Sequence, residues 1–316
     1  MIDLNEALCY IQCDVLTLED KTMADESNTN REEFPSLRGL PVDICIFTVK
    51  TEKRSDLDES VDRRTLKSYP KRWLELVLVE RTDEPFQHFW ALPGGFTKIE
   101  TETLDEAVIR ELKEETNLDA VIEADGEKQK HGIYLKQLKA YFHPKRDPRG
   151  FTPTVAFVAL VNEQLLKQMQ AGGDAKKVQL FRVSMREQEL YYESEDGTEI
   201  VDKSRLAFDH ADIISDALKF IQSEMMTTAI AKTLLPDEFT IAELHQVIST
   251  VVPSYIASAT NFARDLLKTK TREGMLVEVF NEDGTPKKST QYSARPAQLY
   301  RFREDFDARV SIYPRF

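Results

Sequence analysis

Apolar positions recur along this chain with two periods, and the change from one to the other near Asp212 divides it. Val42–Val49 (VDICIFTV) is β-branched and apolar enough for a buried strand, whereas Leu74–Arg81 (LELVLVER) alternates at period two. Strands are also expected around residues 132–142, 153–161 and 178–184, with a hairpin at Asp196-Gly197. One helix, near residues 103–117, interrupts them, so this part reads as mixed α+β. Beyond Asp212, Ile213, Ile214, Ala217, Leu218 and Ile221 recur at helical spacing until Leu234-Leu235-Pro236 breaks the run. Thr240, with Glu243 three residues on, forms a capping box that opens a helix to about Val251. A second helix, about Ala257–Lys270, follows Pro253. Met275–Phe280 then reads as a strand, Asp283-Gly284 as a turn, and the chain returns through Gln291. Helix, turn, helix and a two-stranded ribbon describe a winged helix. Two polar segments, residues 21–34 and Glu52–Lys71, read as a flexible loop and a solvated insertion.

The helix near 103–117 carries the most informative pattern. Thr103 and Glu106 form a capping box, and the run to Thr116 has strong helix formers and no Gly or Pro. Asn117 suits the left-handed position beyond the last turn. With Leu104 at zero and about 100° per residue, Ala107, Val108 and Leu112 fall at about 300°, 40° and 80°. Glu111 falls at about 340° and Glu115 at about 20°, inside that apolar stripe, with Glu114 beside it at about 280°. A solvated helix puts its acids on the opposite face. Three carboxylates at the edge of a core repel one another and lose hydration unless a cation joins them. All-oxygen ligands favour Mg²⁺ or Mn²⁺. Arg110, four residues before Glu114, is placed to hold that carboxylate in a forked hydrogen bond. The plainer alternative is a surface helix laced by i,i+4 pairs. Acids in the buried stripe, and Pro93-Gly94-Gly95 just upstream, weigh against it.

Composition narrows the partners. At 316 residues and 41% hydrophobic content, the chain can bury two cores. No apolar run reaches the roughly 18–20 residues that span a bilayer. Met1–Asp14 lacks the basic start and apolar block of a signal peptide, so a cytoplasmic protein with no membrane association is expected. Cys9, Cys13 and Cys45 suit a reducing compartment and read as packing residues. The net charge of −13 argues against a uniformly basic nucleic-acid coat. Residues 221–316, however, hold 12 basic and 12 acidic side chains, so the whole excess lies in residues 1–220. That unevenness suggests two jobs.

Arg110-Glu111-Leu112-Lys113-Glu114-Glu115 resembles the second half of the Nudix box, and Leu92-Pro93-Gly94-Gly95-Phe96 resembles its beginning. The resemblance implies a loop–helix–loop holding a divalent metal against a diphosphate. Glu111, Glu114 and Glu115 would be metal ligands, Arg110 would orient them, and Gly94 and Gly95 would approach the substrate backbone-first. Glu102 matches the first box glutamate, with six residues between it and Gly95 where the family has five, and Asn117 stands where the family has Gly. The implied reaction cleaves an ADP-ribose-like nucleoside diphosphate, with metal-bound water as nucleophile. No separate base stands out.

The wider pattern is similar to the Nudix-related transcriptional regulators of the NrtR group. Leu206-Ala207-Phe208-Asp209-His210 looks like their junction motif, Leu234 to Thr240 like the lead-in to their winged helix, and Arg295 to Phe302 like its closing strand. Arg146-Asp147-Pro148-Arg149-Gly150 resembles a substrate-side loop, which makes Arg146 and Arg149 candidate ligand contacts. The implied architecture is a 1–40 extension, a Nudix α/β/α-sandwich domain over 41–211, and a linker helix with a winged-helix domain over 212–316. The implied protein is a homodimer that binds double-stranded DNA under control of ADP-ribose or a relative. A hydrolase and a non-catalytic sensor both fit.

On the second helix Asn261, Arg264 and Lys268 share a face, as recognition residues must, with Asp265 among them. Lys287, Lys288 and Arg295 are placed to grip phosphates from the wing. A dimerisation or protein-contact module is the alternative, because this helix is not strongly basic. Phe89, Trp90, Phe262, Leu266 and Leu267 read as core, and His143 and His210 as structural histidines.

Overall fold

The computed structural model describes residues 39–52, 70–98, 100–116, 133–166, 177–268, 275–291 and 295–303, all within one unit formed by residues 38–316. Residues 21–34 and most of the 52–71 segment, with Asn117, Cys9 and Cys13, lie outside them.

Strand β1 (Pro41–Thr51) is apolar on both faces and takes the middle of the sheet. It pairs antiparallel with β2 (Arg72–Glu80), and β3 (Trp90–Ala91) adds to the end of β2. Strand β4 (Gly94–Phe96) pairs with the start of β1. Helix α1 (Leu104–Thr116) follows, then β5 (Tyr134–Tyr141) and β6 (Thr154–Leu160), the latter parallel to β1. After the single turn α2 (Glu163–Leu166), strands β7 (Val178–Arg186), β8 (Glu189–Ser194) and β9 (Ile200–Val201) extend the opposite edge. The order is β5-β6-β1-β2-β7-β8-β9.

Alternation sends residues to two cores. Ile44, Ile46 and Val77 face Val108 and Leu112 of α1. Cys45, Phe47, Leu74, Leu76 and Leu78 face the long helix α3 (His210–Thr227). Ile213, Ile214, Ala217, Leu218 and Ile221 are all buried there, as their spacing predicts. The result is an α/β/α sandwich.

The turn between β7 and β8 departs from the expected pattern. Glu187 and Gln188 both adopt positive φ, 50° and 69°, a geometry that Asn-Gly usually supplies. Six pairs of facing residues, from Phe181–Ser194 to Arg186–Glu189, hold the turn in place. The Asp196-Gly197 turn lies one strand later, with Gly197 at φ 68°.

Beyond α3 and a 3₁₀ turn over Ile230–Leu234 come α4 (Ile241–Val251) and α5 (Ala259–Lys268). Short strands β10 (Leu276–Glu278), β11 (Lys288–Ser289), β12 (Ala297–Gln298) and β13 (Tyr300–Phe302) make the wing, and Phe239 bridges to Tyr300. This is the expected winged helix. The α4 capping box forms: Thr240 N–H donates to Glu243 and Glu243 N–H to Thr240 Oγ1. Leu244, Val247 and Ile248 of α4 join the same core as Leu74 and Leu76, so the winged helix docks directly on the sheet. Leu267 does not join it. It is 50% exposed, because it lies about 100° round the helix from buried Leu266.

Candidate functional site

Two glycines fix the site. Gly95 pairs with Val42 and Gly94 with Asp43 in the β1–β4 ladder. A Cβ on Gly94 would lie 2.1 Å from the Val42 carbonyl oxygen, and one on Gly95 would lie 2.2 Å from Glu111 Oε1. Only a bare backbone fits between β1, the cleft and the glutamate helix. Glu111 is buried, while the Glu114 side chain is 56% exposed. Both carboxylates converge on Nη1 of Arg110, at 2.6 and 3.0 Å. The Glu115 side chain lies outside the described residues.

Arg110 does more than hold Glu114. Its Nε and Nη2 donate to both oxygens of Glu102 at 2.7 and 3.0 Å, and Nη2 also reaches the Phe96 carbonyl at 3.0 Å. Glu102 in turn accepts the Lys98 N–H at 2.9 Å. The fork from Arg110, then the Lys98 amide, lowers the Glu102 pKa to about 2. The loop thus closes despite its extra residue; Glu100, at φ 69°, takes a left-handed conformation within it. The α1 capping box is present, with Thr103 N–H donating to Glu106 at 2.8 Å.

The carboxylate donor set of Glu111 and Glu114 suits a hard divalent cation, and the space a Gly95 Cβ would fill abuts Glu111. Among the described residues no three acidic, His or Cys groups already form a metal cluster. Arg110 supplies the positive charge between them.

Gly94 and Gly95 form one wall of an open cleft. Arg81, Arg146, Arg149 and Phe208 line it too. Arg146 is committed to the fold. It donates to Asp209 from Nε and Nη2, to the Thr152 carbonyl at 3.1 Å and to Asp43 at 3.4 Å, and its side chain is 4% exposed. His210 Nδ1 accepts the Leu92 N–H at 2.9 Å, and its Nε2 lies 3.5 Å from Asp43. Burial raises the Asp43 pKa, but His210 and Arg146 beside it leave it below the ordinary value. His210 is therefore the structural histidine expected. Trp90 is core, its Nε1 donating to Glu199 at 2.7 Å.

Arg149 forks onto Asp147 and is half exposed. Arg81 is a cleft residue that sequence patterning missed, since it reads only as the end of a strand. Nothing in one dimension places it in one cleft with Arg149.

In the winged helix, Asn261 and Arg264 are exposed on α5, and Arg264 lies 3.6 Å from Asp265. The Lys268 side chain lies outside the described residues. Lys287 pairs with Glu238 at 2.6 Å, while Lys288 and Arg295 lie exposed on the wing.

The profile of the NUDIX domain matches residues 70–197, and that of the AraR C-terminal winged HTH domain matches residues 227–311. The ADPR responsive transcriptional repressor NtrR of Acinetobacter baylyi is 30% identical over 248 residues, 77% of this chain and 82% of that one. The chain belongs to the Nudix-related transcriptional regulators. Its Nudix part is also similar to the ADP-ribose pyrophosphatase of Methanocaldococcus jannaschii, 32% identical over 46% of this chain and 67% of that one. A MutT/nudix family protein from Enterococcus faecalis shares the fold, with a TM-score of 0.58 at 24% identity and 90% of each chain covered. Shewanella oneidensis NrtR does so too, with a TM-score of 0.55 at 24% identity over 85% of this chain and 97% of that one. Nudix hydrolases as a family work with divalent metal ions. Among the described residues of this regulator, no helix is long and apolar enough to cross a membrane.

Proposed function

We propose that the cleft binds ADP-ribose or a related nucleoside diphosphate, and that this controls binding of double-stranded DNA by the winged helix of a homodimer. One observation carries the reading: the cleft wall is glycine backbone set against a buried glutamate, and α3 starts at that cleft and leads to the winged helix. The names of the two relatives support the ligand class. Asn261, Arg264 and Lys268 would read the DNA, with Lys287, Lys288 and Arg295 on phosphates. The exposed Arg264–Asp265 pair is weak enough to open at a phosphate. A mobility-shift titration on the gene's own upstream DNA, with and without ADP-ribose, tests this. DNA binding that ignores both salt and ligand would sink it.

We further propose that the cleft hydrolyses its ligand to a nucleoside monophosphate and a phosphorylated remainder. Glu111, Glu114 and Glu115 would hold Mg²⁺ or Mn²⁺, which supplies charge neutralisation and an activated water. Arg110 and Glu102 position Glu111 and Glu114, and the glycine backbone admits the diphosphate beside them. The measurement is phosphate release, coupled to a phosphatase, over a nucleotide panel with native protein and Glu114→Gln. Absence of metal-dependent turnover leaves the sensor alone.

A further inference from the structure

Helix α3 begins with a residue that is placed to cap it and does not. Asp209 stands at the N-cap, but its carboxylate makes no bond to the helix. Aspartate at this position ordinarily accepts an N–H of the first turn. Two other caps of this chain do so. Thr240 accepts the Glu243 N–H with ψ 154°, and Asp202, before the 3₁₀ turn over Lys203–Arg205, accepts the Ser204 N–H with ψ −178°. Asp209 has ψ 22°, outside that extended range. Its oxygens go to Arg146 instead: both accept from Nε, at 3.1 and 3.0 Å, and Oδ1 also takes Nη2 at 2.7 Å.

The residue before it is held at a cost. Phe208 has φ 52°, and bulky side chains take the left-handed region only where their surroundings impose it. Constraints lie on both sides. Upstream, the Ala207 N–H is fixed to the Trp90 carbonyl at 2.8 Å; downstream, Asp209 is fixed to Arg146. The junction thus gives up a helix cap and an ordinary backbone for one ion pair. A second arrangement reverses the exchange. With Asp209 turned to the extended range, its carboxylate would cap α3 at Ala211 or Asp212, and Phe208 would be free to take negative φ. Arg146 would keep the Thr152 carbonyl and Asp43.

We propose that Phe208 and Asp209 form a two-state latch between the cleft and α3. In one state Asp209 grips Arg146; in the other it caps the helix. The proposal rests on the regulator reading above and supplies its moving part. Phe208 and Arg146 both line the cleft, so a ligand that fills it lies against both halves of the latch. Ile213, Ile214 and Ala217 of α3 share a core with Leu244, Val247 and Ile248 of α4, so a change in the first turn reaches the winged helix through packing.

Two substitutions at one residue separate the states. Asp209→Ser keeps a capping oxygen and loses the ion pair, whereas Asp209→Glu keeps the charge and caps poorly. The native full chain and both variants, each with a melting curve, are compared by amide hydrogen exchange. Fluorescence anisotropy on the gene's own upstream DNA, with and without saturating ADP-ribose, supplies the second readout. Relative to the later turns of α3, exchange at Ala211 and Asp212 should slow about fivefold in Asp209→Ser, the worth of one N-cap, and should not slow in Asp209→Glu. The two variants should move DNA affinity in opposite directions from native, and each should shrink the response to ADP-ribose. Shifts in the same direction, or a full ADP-ribose response in both, would overturn the latch. If Asp209→Ser does not fold, a full response in Asp209→Glu alone overturns it. Native DNA binding that ignores ADP-ribose, with the amides still slowed in Asp209→Ser, would leave the latch standing and remove the regulator reading. Without that slowing, both fall.

Discussion

Arg72 of β2 lies 3.6 Å from Glu243, the residue that completes the capping box of α4. Its Nε also donates to Gln246 on the same helix at 3.2 Å. Both charged side chains are nearly buried, so removing one strands the other. Arg72→Met should cost about 3 kcal/mol in urea unfolding. Hydrogen exchange should rise first in α4, then in the sheet. Uniform exchange would show that the docking of α4 does not depend on this pair.

Gly95 admits no side chain. Its Cβ would meet the Glu111 carboxylate, which Arg110 also holds. Gly95→Ala should lower stability by about 1–3 kcal/mol and disable the cleft, read by melting temperature and ADP-ribose titration. An alanine variant with native melting and native affinity would show that Glu111 moves freely.

Asp209 is the chief counter-charge of buried Arg146. Asp209→Asn should destabilise the fold by about 3 kcal/mol by leaving Arg146 poorly paired. Arg146→Gln should be less damaging, because Asp209 is the more exposed partner and can hydrate. Equilibrium unfolding of the two variants gives the order, and the reverse order would refute the argument.

Glu102 should titrate near 2, well below an ordinary glutamate at about 4.5. A lowered folded-state value means that the Arg110 pairing stabilises the fold above about pH 4.5 and is lost as pH falls toward 2. Carboxyl-carbon NMR of selectively labelled protein gives the midpoint directly. Arg110→Gln should return it toward the ordinary value; no movement would remove Arg110 as the cause.

Much of the fold is legible in one dimension because local rules and burial agree. Thr103 with Glu106 and Thr240 with Glu243 start their helices as capping boxes should. Glu111 is buried where the angular position puts it. What escaped the sequence depends on contacts between distant segments. The Glu187-Gln188 turn is imposed by the ladder around it, and the partners that Arg146 and Lys287 meet, Asp209 and Glu238, lie far away in sequence. Leu267 fits the helical stripe by residue type but not by angle. Arg81 acquires its meaning only when Phe208, 127 positions away, folds beside it.

Helix α3 has one more implication. Its first residue, His210, accepts the Leu92 N–H between β3 and β4, and its last turn leads through the 3₁₀ turn over Ile230–Leu234 to the winged helix. Anyone wishing to graft a different output module after Thr227 would have to replace the apolar face that Leu244, Val247 and Ile248 of α4 bring to the sheet. A cut at Asp209 would also take Ile213, Ile214 and Ala217 out of the same core.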